Sequence, residues 1–238
     1  WSPAVRTVVN VALMSRFPIL VWVGPELRLV YNDGYAPFLG DKHPEALGAP
    51  GAEVWADIWS VVGPMLDSVV TTGVATWSEN QLLLMNRHGY VEETYFTFTY
   101  SPVAGADGAI DGVFCAVTET TGQVLGERRL RTLRELGTEL YDAPSEDAAA
   151  RRAVEVLERD PQDLPFCAVY LTGCDGAPRV AAATANVAGH PGVRSLVEPV
   201  ELPELRSAAE SGRARLVGDM DTRCPFVRDV FGDDAPGS

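Results

Sequence analysis

Apolar and polar residues follow two periods along this chain, and the first clear pattern is a pair of short strands. Residues 19–23 are apolar throughout, and Leu27, Leu29 and Tyr31 then alternate with their neighbours. Alternation of period two indicates a strand with one buried face. Gly24-Pro25-Glu26 lies between the two runs and is typical of a tight turn. The pattern therefore predicts a hairpin over residues 19–31.

Three further strands are predicted at residues 75–86, 90–101 and 110–118. In the middle run Tyr95, Thr97 and Thr99 fall on one side, and Phe96, Phe98 and Tyr100 fall on the other. Aromatic and β-branched residues are the types that strands prefer. Arg87-His88-Gly89 is a turn between the first two runs. Together with the hairpin, these runs make five strands that can form one antiparallel sheet.

Helical spacing appears before and between the strands. Val5, Val8, Val9, Ala12 and Leu13 occupy one face of a helix. A longer helix is predicted over residues 52–72, with Gly73 as its stop and Pro64 kinking or dividing it. Residues 34–47 are interrupted by proline and glycine and should hold only short helical turns. The order of elements predicts an α+β fold with helices on one face of the sheet.

A charged helix is predicted over residues 119–142, where five leucines are interleaved with arginine and glutamate. Leu130, Leu133 and Leu140 fit about two heptads, which is short for a coiled coil. Two interpretations remain open. The helix packs on its own domain as an amphipathic linker, or it pairs in a parallel dimer and carries a signal onward.

A second module is predicted over residues 143–238. Ser145 is a good N-cap for a helix that runs to about Arg159, and strands follow at 166–172 and 179–185. Beyond Gly189 the sequence is rich in loops, with a short helix near 202–211 and a strand near 214–217. Residues 232–238 look unstructured.

Composition excludes several classes of function. The formal charge of −14 argues against binding to nucleic acid or to an anionic membrane surface. No apolar run reaches the ~20 residues of a membrane span, and no signal peptide opens the sequence. The four cysteines form no C-x-x-C pair, so reduced thiols in a cytoplasmic protein are expected. Because the chain begins at Trp1, we expect it to be part of a longer protein.

Residues 15–120 resemble a PAS domain of the type found in bacterial sensor histidine kinases. The matching segments, in chain order, are SRFPILVWVGPELRLVYNDGY (Ser15–Tyr35), GDKHPEALG (Gly40–Gly48), VWADIW (Val54–Trp59), NRHGYVEETYFTFTYSP (Asn86–Pro102) and GVFCAVTETT (Gly112–Thr121). The resemblance implies a five-stranded sheet, a sensory role and a histidine kinase parent.

The C-terminal part resembles the start of a GAF domain and lacks the later strands and closing helix, which implies a truncated GAF-like α+β module. The expected organisation is an N-terminal helix (1–16), a PAS domain (17–120), a linker or signalling helix (121–142) and the partial GAF-like domain (143–238). No catalytic or metal-binding residues are predicted. His43, His88 and His190 lie in turns, and no kinase catalytic core is present.

Such PAS domains often close with Asp, a β-branched residue and Thr. The corresponding run here is Ala116-Val117-Thr118. The acid is absent from that run, so it does not support the coupling salt bridge of the family. We expect signal coupling at the Thr118-Glu119-Thr120 junction. Haem is not expected, because its one candidate ligand, His43, precedes a proline. Covalent flavin is not expected either, because residues 1–114 contain no cysteine.

Aromatic residues of the PAS region could line a small-ligand cavity or simply fill the core. The candidate pocket residues are Trp22, Tyr31, Asn32, Trp55, Trp59, Trp77, Tyr95, Phe96 and Phe98, with Glu79 and Asn80 as further polar contacts.

Three functional hypotheses follow. The first is a cytoplasmic sensor fragment of a two-component protein, which senses a small ligand or partner and signals through a dimer helix to downstream kinase domains. The second is a ligand-free scaffold for dimerisation or protein interaction, and both would dimerise through Val5–Leu13 and Leu125–Leu140. The third, and weakest, is a hydrolase using His190, Asp219 and Asp221.

Overall fold

The structure is a computed structural model that describes residues 1–172, 178–189, 207, 208 and 210–213. Contacts divide the chain into two units, Trp1–Glu127 and Arg128–Ser238. In the described residues, every helix falls short of the combined length and apolarity that crossing a membrane requires.

The first unit is built on one antiparallel sheet. Its strands are β1 (Ile19–Val23), β2 (Arg28–Tyr31), β3 (Thr76–Asn86), β4 (Val91–Ala104) and β5 (Ile110–Glu119). They are arranged in the order β2-β1-β5-β4-β3, and every neighbouring pair is antiparallel. This is a PAS fold, so the prediction of a five-stranded antiparallel sheet with helices is confirmed.

Helical segments cover the inner face of this sheet, and one helix also covers part of the outer face, which the expectation of helices on one face did not include. The first helix, α1 (Pro3–Met14), packs Val5, Val9 and Ala12 on the outer face of β1. On the inner face lie two 3₁₀ turns (Ala36–Phe38 and Gly40–Lys42), the short helix α2 (Gly51–Val54) and the longer α3 (Trp59–Thr72). Because both of its faces are covered, β1 is buried along its whole length.

The helix expected over residues 52–72 is divided, but not at Pro64. The chain leaves helical geometry at Trp55, and Pro64 lies inside α3. The predicted stop at Gly73 is confirmed, because this residue has a left-handed backbone (φ 68°) and its N–H bonds the Val69 carbonyl. A glycine adopts that conformation at little cost.

The helix α4 (Thr121–Leu140) begins directly after β5, and the boundary between the units falls within it. The second unit continues with α5 (Glu146–Leu157), β6 (Ala168–Thr172) and β7 (Pro178–Ala183). The N-cap at Ser145 is confirmed, since its hydroxyl accepts a hydrogen bond from the Ala148 N–H. The predicted helix at 202–211 lies mostly outside the described residues. The strand at 214–217 and His190, Asp219 and Asp221 lie wholly outside them.

Candidate functional site

A cavity of about 40 Å³ lies between the inner face of the sheet and the helical segment of the first unit. Trp22, Trp55, Phe96 and Phe98 line it, as the pocket hypothesis expected. The remaining lining residues are all uncharged: Leu20, Tyr35, Phe38, Ile58, Val62, Leu83, Met85, Tyr100, Cys115 and Val117. Tyr100 could have been added from the sequence, because it continues the alternation of Phe96 and Phe98.

Edge-on contacts with two aromatic rings fix the position of the Trp22 indole, which lines the cavity. The Trp22 ring meets those of Trp59 and Tyr100 edge-on, with centroids 6.2 Å apart in both pairs. The backbone of Gly51 closes against the same ring, because a Cβ on Gly51 would lie 2.5 Å from Trp22 Cζ3. The sequence therefore needs a glycine at the start of α2 for the tryptophan to take this position.

Two of the residues that line the cavity carry a buried indole N–H without a hydrogen bond among the described residues. Trp22 and Trp55 are each 1% exposed, and their indole N–H groups have no hydrogen-bond partner in the described part of the chain. The Trp55 indole also interacts with the Tyr35 hydroxyl. Buried polar groups are normally paired, and in the described part of the chain the buried hydroxyls of Thr76 and Thr120, which do not line the cavity, are likewise without a hydrogen bond.

The other polar groups of the wall are uncharged at neutral pH. Burial raises the pKa values of the Tyr35 and Tyr100 hydroxyls and of the Cys115 thiol. Lys42 stacks on the Trp55 ring, 4.5 Å from its centroid, but its ammonium donates to Asp57 and to the Val54 carbonyl. The cavity therefore presents apolar surface and neutral hydrogen-bonding groups.

Three predicted pocket residues do not line the cavity: Tyr31 and Asn32 are buried, and Trp59 is partly buried. Trp59 packs against the core from α3. The hydroxyl of Tyr31 shares a hydrogen bond with His43 Nδ1 at 2.9 Å. Asn32 is a structural residue: its amide donates to the carbonyls of residues 12, 15 and 17, and its Oδ1 accepts from the N–H groups of residues 19 and 35.

Trp77 and Tyr95 are not cavity residues, which corrects the pocket hypothesis. Both lie on the outer face of the sheet, where Trp77 is 67% exposed and the Tyr95 hydroxyl donates to Glu93. Tyr95 lies there because it alternates with Phe96 along β4, whereas Trp77 lies there because of a bulge in β3. Ser78 pairs with Phe98 but Gln81 pairs with Phe96, so one extra residue reverses which face each side chain occupies. Glu79 and Asn80 are exposed at this bulge, where Asn80 has φ 49°.

His43 is exposed and does not line the cavity. Among the described residues, no three His, Cys, Asp or Glu side chains are grouped so that they could hold a metal ion.

A second candidate site lies where β5 passes into α4. The Arg87 guanidinium donates to both oxygens of Glu119, at 3.0 and 3.1 Å, and its Nε donates to Glu92 at 3.2 Å. The Arg87 side chain is 11% exposed and the Glu119 side chain 26%. Bidentate arginine–carboxylate pairs are among the strongest hydrogen-bonded contacts in proteins.

This salt bridge was missed at the sequence level because the acid was sought at Ala116. The spacing of acid, variable residue and Thr occurs three residues later, at Glu119-Thr120-Thr121. The Thr121 hydroxyl donates to Glu119 at 2.9 Å and accepts from the Tyr95 N–H at 2.9 Å. The N–H of Thr120 donates to the Tyr95 carbonyl at 2.7 Å. Thr118 is exposed and pairs with Thr97 across the sheet.

The charge of Glu119 is stabilised at this site. Partial burial alone would raise its pKa, but hydrogen bonds from Arg87 and Thr121 and the Arg87 charge outweigh burial and lower the pKa. The hydrogen bonds that Arg87 donates to Glu119, followed by the charge of Glu119 and the contact with Glu92, outweigh burial and raise the pKa of Arg87. Both groups are therefore ionised at neutral pH.

The predicted dimer surfaces are partly occupied within the chain. In α1, Val5, Val9 and Ala12 are buried against the sheet, whereas Val11, Leu13 and Met14 are exposed. In α4, Leu130 and Leu133 are 54% and 63% exposed. Arg128 is buried and binds Asp163 and Gln162 of the second unit. Dimerisation stays a prediction.

No protein-family model matches the chain. Among solved structures, it is similar to a PAS domain from Colwellia psychrerythraea (16% identity, TM-score 0.39), covering 50% of this chain and 98% of that one. A sensory box sensor histidine kinase from Vibrio cholerae shows 14% identity and a TM-score of 0.35 over 48% of this chain and 88% of that one. A Rhodobacter sphaeroides LOV protein shows 15% identity and a TM-score of 0.40 over 67% and 80%. The fold assignment rests on strand order and register.

Proposed function

We propose that this chain is a cytoplasmic sensory and regulatory part of a bacterial two-component signalling protein whose parent is a sensor histidine kinase. The PAS unit detects a small ligand or a partner, and the change passes along α4 in a homodimer to the downstream kinase domains. The second unit is a partial GAF-like module. The catalytic core of the parent lies outside this sequence.

One observation carries the proposal: the cavity wall and the start of α4 share backbone. Phe96 lines the cavity and pairs in register with Glu119, and Val117 lines it two residues before Glu119. The Tyr95 carbonyl accepts a hydrogen bond from the Thr120 N–H, and the Tyr95 N–H donates one to the Thr121 hydroxyl. A shift of β4 or β5 at the cavity therefore displaces the first turn of α4 directly, without a long chain of intermediate contacts.

The signalling junction is tested in the full-length parent. Glu119→Gln removes the charge that Arg87 holds, and Glu26→Gln, in an exposed pair with Arg28, is the matched control. We expect autophosphorylation to change in the first variant and to stay at the wild-type level in the control. An unchanged output in both variants would count against coupling at Glu119.

A second test changes the rotational phase along α4. Insertions of one to seven residues inside α4, after Gly137, should change kinase output and restore it near seven, because seven residues complete two helical turns of a coiled coil. Output that ignores insertion length would contradict transmission through a paired helix. Light scattering of the 238-residue protein tests the dimer itself, and a monomer at high concentration would weaken the whole scheme.

The small volume of the cavity favours one alternative, a ligand-free scaffold for dimerisation or protein interaction. In that case the dimer persists but nothing binds in the core. Extra density or a thermal shift on addition of candidate ligands would separate the two hypotheses in favour of the sensor, and the absence of any bound molecule would favour the scaffold.

A further inference from the structure

A second set of contacts reaches the Arg87–Glu119 salt bridge from the helical segment of the first unit, residues 36–72. We infer that Asp57, in the turn between α2 and α3, is a positioning residue for Arg87 and links the cavity wall to the start of α4. This inference rests on the proposed sensory function and adds a second route for the signal, through the turn between β3 and β4.

Asp57 lies between two residues of the cavity wall. Trp55 and Ile58 line the cavity on either side of it in sequence. The Asp57 side chain is 20% exposed, and both of its carboxylate oxygens accept hydrogen bonds from the Lys42 ammonium at 3.1 Å. Lys42 also donates to the Val54 carbonyl at 2.8 Å. The position of the Asp57 carboxylate is therefore set by the helical segment.

The same carboxylate holds the end of β3. Its Oδ2 accepts a hydrogen bond from the Asn86 N–H at 2.7 Å, across 29 residues of sequence. The Asn86 side chain closes the turn that follows, because its Oδ1 accepts from the Gly89 N–H at 3.0 Å. A charged acceptor makes a stronger hydrogen bond to a backbone N–H than a neutral one. Asp57 therefore fixes the residue that directly precedes Arg87.

The helical segment also contacts Arg87 from the other side. The Asp41 N–H donates to the Arg87 carbonyl at 2.8 Å. Gly40 packs so closely on this carbonyl that a Cβ on Gly40 would overlap its oxygen. The backbone at Arg87 is thus held on both sides by the helical segment, and its side chain reaches Glu119 from that fixed base.

A displacement of the helical wall of the cavity can therefore reach α4 through Asp57 as well as through the sheet. Movement of Asp57 shifts the turn between β3 and β4, and with it the Arg87 guanidinium. Hydrogen bonds weaken steeply as their angle departs from linearity, so the two bonds from Arg87 to Glu119 are sensitive to such a shift. The strength of the salt bridge should then depend on Asp57, although the hydrogen bonds of Asp57 go to Lys42 and Asn86.

The first test asks whether Asp57 and Glu119 act together. Urea unfolding of the 238-residue protein measures how far Glu119→Gln lowers the folding equilibrium constant, in wild type and in Asp57→Ala. We expect the effect of Glu119→Gln to be about two- to fivefold smaller in Asp57→Ala, the lower end of the coupling between residues of one hydrogen-bond network. The matched control, Asp67→Ala, removes an exposed carboxylate of α3 and should leave the effect unchanged.

The titration of Glu119, followed by carboxyl ¹³C NMR, separates positioning from a general loss of stability. Burial raises the pKa of Glu119, and hydrogen bonds led by those from Arg87 outweigh burial. Asp57→Ala should therefore raise this pKa toward its value in Arg87→Met. Asp57→Asn keeps an oxygen for the Asn86 N–H and should raise the pKa less. If Asp57→Ala does not fold, Gly40→Ala, which displaces the Arg87 carbonyl, is titrated in its place and should also raise the pKa.

Two results would overturn the inference. Either Glu119→Gln has the same effect in wild type and in Asp57→Ala, or the pKa of Glu119 stays at its wild-type value in the variants that fold. Either result, with an intact effect of Glu119→Gln on kinase output, would remove only the role of Asp57. Coupling without any effect of Glu119→Gln on kinase output would remove the proposed signalling role and leave Asp57 as a positioning residue of the salt bridge.

Discussion

The Arg87–Glu119 salt bridge allows the sharpest test of how the end of the sheet is held. The perturbation is a double-mutant cycle of Arg87→Met, Glu119→Gln and both together. The two side chains are 11% and 26% exposed and share two hydrogen bonds. Exposed pairs are worth about 0.2–1 kcal/mol, and breaking a fully buried pair costs about 3–5 kcal/mol. We therefore expect a coupling energy of about 1–2 kcal/mol in the free energy of unfolding.

The single variants should be unequal. Glu119→Gln leaves Arg87 with Glu92, at 3.2 Å, so it should cost about 1–2 kcal/mol. Arg87→Met leaves Glu92 and Glu119 as two partly buried carboxylates without their cation. It should cost about 2–4 kcal/mol, because an uncompensated charge is more expensive than an uncompensated amide.

Tryptophan fluorescence during urea unfolding reports the unfolding of the unit that contains the Arg87–Glu119 salt bridge. All five tryptophans, at positions 1, 22, 55, 59 and 77, lie in the unit Trp1–Glu127. The matched control is the same cycle on Arg28 and Glu26, which are 2.7 Å apart but 47% and 60% exposed. Its coupling should stay below about 0.5 kcal/mol. Equal coupling in both cycles, or an Arg87→Met cost no larger than that of Glu119→Gln, would refute the reasoning.

Three further predictions use the same assay. The lowered pKa of Glu119 means that its stabilisation is complete above the unfolded-state pKa of about 4.3 and is lost as pH falls through the folded-state value. The difference between wild type and Glu119→Gln should therefore shrink on acidification, and a constant difference would contradict this. Asn32→Asp places an oxygen against three carbonyls and should cost about 2–4 kcal/mol; a neutral result would show that the amide network is dispensable. Gly51→Ala should cost about 1–3 kcal/mol by displacing Trp22, whereas Gly126→Ala, with open space around it, should be neutral or stabilising.

Local patterns predicted the elements of the fold because their causes are local. The alternation of residues 95–100 assigned Phe96 and Phe98 to the buried face, and the structure places them there. The helical spacing of residues 5–13 likewise predicted α1, whose buried residues are Val5, Val9 and Ala12. The period of a hydrophobic pattern and the residues of a turn are set by a few neighbouring positions, and a single sequence shows those positions directly.

The pairing between strands could not be predicted from these local patterns. Leu83 and Met85 are buried in β3, and unbroken alternation would put Trp77 on the same face. The bulge between Ser78 and Gln81 reverses this, and it becomes visible only once β3 is aligned with β4. The role of Arg87 was missed for the same reason, because this turn residue pairs with Glu119, 32 residues away at the end of β5.

The binding energy of a ligand in the cavity can be compared with the coupling energy of the Arg87–Glu119 salt bridge. A ligand of four non-hydrogen atoms can contribute at most about 6 kcal/mol, from a ceiling of about 1.5 kcal/mol per atom. Only the difference between its affinities for two states can shift an equilibrium, so the usable part is smaller. A coupling of about 1–2 kcal/mol at Arg87–Glu119 is at most about a third of that ceiling, whereas breaking a fully buried pair, at about 3–5 kcal/mol, would take half of the ceiling or more. The partial exposure of Glu119 is therefore what keeps the junction within reach of a ligand confined to about 40 Å³.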